Sequence, residues 1–136
     1  MCNQEASAKA WREWLRENKG KVSSAPKNNE QENKPQMSLI PDDLLRDFLE
    51  PAYREGLIKY SRESWRKGFL ATVMMDALKR HLTKWYYEGE EYDPDAADLG
   101  VSKHHLGGAL FCLLCLCDTV KNHQELDDRR CKDDTA

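Results

Sequence analysis

Between Leu57 and Leu116, cations, carboxylates, imidazoles and aromatic rings are set into an apolar frame with helical spacing. In order they are Lys59-Tyr60, Trp65, Lys67-Gly68, Asp76, Arg80-His81, Trp85, Gly89-Glu90, Asp93-Pro94 and His104-His105-Leu106. Imidazoles and carboxylates hold divalent cations, and lysine or arginine beside aromatic rings suits phosphates with a stacked base. The mixture points to a site for metal and phosphate.

Each candidate has a structural alternative. His81 sits in the apolar stripe Leu70, Val73, Met74, Ala77, Leu78, Leu82 and Trp85, which places an ionisable ring inside the protein, where it needs a partner. A carbonyl, a carboxylate, a metal or a phosphate would each serve. His105 shares a helical face with Gly108, Ala109, Cys112, Leu116 and Thr119, and its first-turn position has free N–H groups that favour an anion such as phosphate. The same small residues equally admit a neighbouring helix. Asp76 and Arg80 are four apart and can simply pair. Asp76 projects roughly 140° from His81, so the two do not ligate one ion from a straight helix in one subunit. The loop from Glu88 to Asp95 concentrates the oxygens that hard Mg²⁺ or Mn²⁺ prefers, although acidic loops are often merely soluble. Lys59, Arg62, Arg66, Lys67 and Arg80 near Tyr60 and Trp65 suit a nucleotide, or a solvated surface with two aromatic anchors.

The five cysteines are an odd set with no secreted-framework spacing. On one helix Cys112 and Cys115 share a stripe while Cys117 points roughly 140° from Cys112, so the three do not aim at one ion. They are expected to be reduced core residues. A net charge of −3 with 33% charged residues gives no global basic excess, so nucleic acid is not the expected partner. The longest apolar stretch, Ala109 to Cys117, is far below the roughly 20 residues of a membrane span, and no signal peptide opens the chain. A soluble cytoplasmic protein with one core follows.

The elements that position these residues read as helices. Met1 to Asn18 carries Ala8, Trp11, Trp14 and Leu15 at amphipathic spacing, and residues 19 to 36 read as a flexible linker, so residues 1–37 form a tethered N-terminal helix. That helix is either a frayed arm or a docking element for a neighbouring subunit. The main domain spans residues 38–121. Pro41-Asp42-Asp43 starts a helix that Pro51 interrupts or kinks and that resumes to Tyr60, followed by a turn-rich connection to Gly68. Phe69 to Glu88 is a long helix, Glu88 to Leu99 a loop, and Ser102 caps a last helix to about Val120. The charged tail, residues 122–136, is expected to fray. No segment alternates like a strand, so the fold class is all-α, a bundle of about four helices.

In order and spacing, Leu39-Ile40-Pro41, Lys59-Tyr60, Ser64-Trp65, Lys67-Gly68, Asp76-Ala77, Arg80-His81, Trp85, Gly89-Glu90, Asp93-Pro94 and His105-Leu106 resemble the phage-type dATP/dGTP diphosphohydrolase domain. That family is related in fold to the MazG-like all-α NTP pyrophosphatases. The resemblance covers about Ser38 to Val120. It implies a homo-oligomer, cytoplasmic in a host cell if phage-encoded as bacteriophage relatives are, that uses Mg²⁺ or Mn²⁺ to cleave a purine deoxynucleoside triphosphate to monophosphate and pyrophosphate. It implies His81, Asp93 and His105 as catalytic and metal-holding residues, with Asp76 as a further ligand. Lys59, Tyr60, Trp65, Lys67 and Arg80 would bind the nucleotide.

Three positions depart from the pattern: Ser64 and Cys112 stand where the family commonly has Asn, and Gly108 where it often has a second His. The departures set an alternative of the same fold, a non-catalytic anti-defence protein that sequesters a nucleotide or a nucleotide-derived immune signal. A purely structural bundle would leave the inward-facing His81 without a role.

Overall fold

The computed structural model describes residues 4–20 and 34–133. The chain forms two compact units, Met1–Met37 and Ser38–Ala136. Most of the expected linker, Cys2 and the last three residues lie outside the described residues.

In the first unit, helix α1 (Gln4–Glu17) stacks Trp11 on Trp14, with ring centroids 5.0 Å apart and 8° between planes. The three-residue spacing puts both rings on one face. Asn18 closes the helix by donating from its backbone N and its Nδ2 to the Trp14 carbonyl, at 2.9 and 2.7 Å.

The second unit is all-α among its described residues. One helical run comprises α2 (Asp42–Leu44), a π-helical turn (Leu45–Leu49) and α3 (Glu50–Lys59). Pro51 causes the π turn: it has no N–H for the carbonyl four residues back and its ring crowds that carbonyl. The helix widens, Glu50 N–H reaching Leu45 O, and continues without breaking. A 3₁₀ turn (Ser64–Lys67) follows, then α4 (Ala71–Tyr86), the short α5 (Pro94–Asp98), α6 (His105–Asn122), a further 3₁₀ turn (Gln124–Leu126) and α7 (Arg130–Asp133).

The core is the seam between α4 and α6, where Met74, Leu78, Ala109, Cys112 and Cys115 are buried and Trp65, Phe69 and Phe111 pack against them. Small residues on α6 permit the close approach. A Cβ on Gly107 would lie 1.9 Å from the Phe48 carbonyl oxygen, so only glycine lets α6 meet the π turn.

Several sequence expectations change. The last helix begins at His105, not after Ser102: His104 caps it, its Nδ1 accepting from Leu106 N–H at 3.0 Å. Pro94 starts a turn of helix inside the expected loop, and Asp93 caps it by accepting from Asp95 N–H at 3.0 Å. Residues after Lys121 do not simply fray. His123 Nε2 donates to Arg66 O at 2.7 Å, and Asp128 accepts from Thr72 N–H at 2.9 Å, capping α4, whose own N-cap Leu70 has no polar side chain. Cys112 and Cys115 are buried free thiols, and burial pushes Cys115 up to about 12. Cys117 is exposed, contrary to a core position. Among the described residues no helix is long and apolar enough to cross a membrane.

Candidate metal centre

Two backbone segments assemble the centre. Asp93 N–H donates to Lys103 O at 2.8 Å and His105 N–H to Glu91 O at 2.9 Å, around an antiparallel bridge between Tyr92 and His104. This pairing lays the acidic segment along the start of α6, so Asp93, Glu90 and Glu91 meet Lys103, His104 and His105. His81 arrives from α4 across the seam.

His81 Nδ1 and His105 Nδ1 are 3.0 Å apart, and His105 Nε2 lies 2.8 Å from Glu90 Oε1. A carboxylate accepts, so His105 carries a proton on Nε2, which leaves its Nδ1 to accept from His81 Nδ1 in the neutral state. His105 is 3% exposed. Burial first, then the Lys103 ammonium and His105, pull His81 below its usual pKa, which favours the neutral ring. Donor atoms of His81, Asp93 and His105 all lie within 4.8 Å of one another.

Gly108 belongs to this geometry. A Cβ there would lie 2.7 Å from both Cε1 and Nε2 of His81. The position that reads in sequence as a missing polar group is the space the His81 ring occupies.

The donor set fits a divalent ion. Two imidazoles and a carboxylate whose donor atoms converge within 4.8 Å would be its ligands. Two imidazoles and one carboxylate suit Mn²⁺ and its transition-metal neighbours better than Mg²⁺, which prefers oxygen.

His81 and Gly108 also line a cleft of about 180 Å³ between α3, the Ser64–Lys67 turn, α4 and α6. Trp65, Tyr53 and Phe111 form its aromatic wall, packed edge to face with centroids 5.2 to 6.5 Å apart. Arg66 backs that wall, its guanidinium 4.9 Å from the Trp65 ring and bonded to buried Asp118 at 3.1 Å. Lys59, Arg62 and Lys103 supply positive charge, and Tyr60 sits at the exposed rim.

Other expected residues lie elsewhere. Asp76 and Arg80 are exposed on α4, Asp76 outside the His81, Asp93 and His105 cluster and Arg80 outside the cleft lining; Lys67 is also exposed and does not line the cleft. The start of α6 is not an anion site: Glu91 O takes His105 N–H and the His104 ring takes Leu106 N–H, while Gly107 and Gly108 N–H donate to His104 O. Lys103 and Glu55 were not anticipated. Lys103 Nζ lies 2.6 Å from Glu55 Oε2 and 3.1 Å from Asp93 Oδ2, and Lys59 Nζ lies 2.6 Å from Glu55 Oε1. Burial raises both carboxyls, but the neighbouring ammonium groups outweigh it and hold Glu55 and Asp93 below their usual ranges. Lys103 directly precedes the histidine pair, and Glu55 stands four before Lys59; those were the available signals.

Fold and centre together define an all-α protein with an imidazole and carboxylate cluster at the edge of a cationic, aromatic-walled cleft. The chain matches the family model described as dATP/dGTP diphosphohydrolase, N-terminal, over residues 24–129, more than three quarters of its length, and belongs to that family. No curated protein and no solved structure matches the chain.

Proposed function

We propose that this protein is a divalent-metal-dependent (d)NTP pyrophosphohydrolase that cleaves a purine deoxynucleoside triphosphate to monophosphate and pyrophosphate. The observation that carries the reading is that His81, which stands within the His81, Asp93 and His105 cluster, also lines the cleft walled by Trp65 and bordered by Lys59, Arg62 and Lys103. Family membership supports a hydrolase of this class. His81, Asp93 and His105 would hold the ion through the two Nδ1 atoms and an Asp93 oxygen, and Glu90 fixes the His105 ring. The donor set favours Mn²⁺ over Mg²⁺. When bound, the ion offsets charge on the α-phosphate and lowers the pKa of the attacking water.

The chain's own residues do the rest. Trp65, Tyr53 and Phe111 receive the nucleoside, and the cations take the phosphates. The cleft is smaller than the roughly 300 Å³ at which ligand pockets begin, so the triphosphate extends over the rim at Lys59 and Arg62. His81, which lines the cleft, would offer its other ring nitrogen as a hydrogen-bond donor to a phosphate oxygen. Water attacks the α-phosphorus and releases a proton to solvent, the bond from that phosphorus to the α,β-bridging oxygen breaks, and pyrophosphate leaves with the bonding electrons.

A second reading, sequestration of a nucleotide or nucleotide-derived signal without turnover, draws on Asp93 being engaged by Lys103 and on buried Cys112 standing where the family commonly has Asn. Incubating purified protein with NTPs, dNTPs and cyclic nucleotides plus Mg²⁺ or Mn²⁺, then resolving products, separates the two. Pyrophosphate release that His81→Ala and Asp93→Ala abolish supports the enzyme; ligand recovered unchanged after denaturation supports sequestration. No nucleotide binding of any kind removes both.

Homo-oligomerisation belongs to the same proposal. Leu106, Leu110, Leu113, Cys117 and Val120 recur at alternating four- and three-residue spacing on α6, the spacing of a coiled-coil seam. Leu110 and Leu113 are 37% and 45% exposed and share an apolar groove with Leu44, Phe48 and Leu82. This seam has no charge, so it is self-complementary and suits a second copy related by a two-fold axis. Light scattering should give at least a dimer, which Leu113→Glu converts to monomer; a monomeric parent protein would contradict it.

A further inference from the structure

One cation of the cleft lining is buried, unlike Lys59 and Arg62. Lys103 enters from the segment before α6, Glu55 from α3 and Asp93 from the start of α5, and their side chains are 10%, 7% and 12% exposed. One ammonium thus bridges two carboxylates at 2.6 and 3.1 Å in a nearly dry setting. Two convergent carboxylates are the donor set a hard, oxygen-seeking divalent ion takes, and a lysine ammonium is a compact point charge that can occupy the same place.

We propose that Lys103 is a built-in second cation of the centre: its ammonium bridges Glu55 and Asp93 where an oxygen-ligated divalent ion would otherwise sit. The centre therefore takes a single exchangeable ion, at His81, Asp93 and His105. This rests on the metal reading given above for that site. It also accounts for the donor imbalance there, because the oxygen-rich position that Mg²⁺ would choose is filled by the chain itself and the remaining position is rich in nitrogen. An ammonium carries three donors for two carboxylate neighbours, so Lys103, which lines the cleft, keeps donor capacity for a phosphate oxygen there. Lys103 so neutralises two carboxylates that would repel a polyanion and presents a donor to it.

The test is the number of Mn²⁺ ions bound per full-length chain, by calorimetry and by equilibrium dialysis. The parent protein should bind one. Lys103→Ala should bind two, the added site accepting Mg²⁺ as readily as Mn²⁺, and Lys103→Ala with Glu55→Gln should return to one. Two ions on the parent protein, or one on Lys103→Ala with unchanged affinity, would overturn the proposal. No ion on the parent would defeat the metal reading at His81, Asp93 and His105, while a gained site in Lys103→Ala would still uphold the role of Lys103. If Lys103→Ala does not give a cooperative melt, the parent protein decides: the lysine ammonium ¹H–¹⁵N signal of Lys103 should persist with slow exchange at saturating Mg²⁺. Its collapse onto the exposed lysines would show a divalent ion displacing it.

Discussion

Gly108→Ala adds one methyl group at the point where α6 meets the His81 ring. The added carbon would stand 2.7 Å from two ring atoms, and ordinary contact begins at 3.4 Å, so ring or helix must yield by roughly 0.7 Å, the difference. His81 Nδ1 starts 3.0 Å from His105 Nδ1. A shift of this size exceeds the few tenths of an ångström of slack in an N–H···N bond, and the imidazole pair separates. Overpacking costs about 1–3 kcal/mol and the lost hydrogen bond about 1 kcal/mol, while alanine in a helix returns about 1 kcal/mol. The net loss is about 1–3 kcal/mol, which lowers Tm by about 5–15 °C in a unit of this size. Metal affinity should fall at least about tenfold, the usual effect of disturbing how a ligand is held. Thermal melts with and without Mn²⁺, and Mn²⁺ titrations, give both quantities. Gly56→Ala is the control: nothing lies within 4 Å of its added carbon, so it should gain stability. If Gly108→Ala matched the parent in melt and Mn²⁺ affinity, Gly108 would not be the space that seats His81.

Three further outcomes follow. Gly107→Ala, whose methyl would lie 1.9 Å from a backbone oxygen, should cost more than Gly108→Ala, about 3 kcal/mol or more, and fail to melt cooperatively at worst; an unchanged Tm would contradict the packing of α6 on the π turn. Glu55 is held below its usual pKa, so its contribution is complete above the unfolded value of about 4.3 and is lost as pH falls through the folded value. In metal-free buffer Glu55→Gln should therefore cost about 3 kcal/mol at neutral pH and give a flatter stability profile below about pH 5, and parallel profiles would refute this. Asp128→Ala removes the cap on α4 and should cost about 1 kcal/mol by denaturant melts; no change would return the tail to a fraying role.

Much of the centre was legible because periodicity is a robust signal. The stripe from Leu70 to Trp85 placed α4 within two residues of its ends and aimed His81 at the interior, and His105 followed from the small-residue face of α6. What stayed hidden depends on contacts that local pattern does not carry. Lys103 and Glu55 are 48 residues apart and become neighbours only when α3 packs beside the start of α6. A histidine is not among the favoured N-caps, so Ser102 outranked His104. Pro51 signalled an interruption, but not that a π turn would absorb it. Gly108 looked like a loss because composition shows which group is absent, whereas the ring filling the space comes from another helix.

The proposed chemistry requires that the two imidazoles hold a divalent ion. Electron spin-echo modulation of protein-bound Mn²⁺ tests this most directly, because it registers ¹⁴N nuclei coordinated to the ion. The protein loaded with one equivalent should show coupling to two histidine nitrogens, reduced to one in His81→Ala. Modulation from water and carboxylate surroundings alone, unchanged by that substitution, would contradict it.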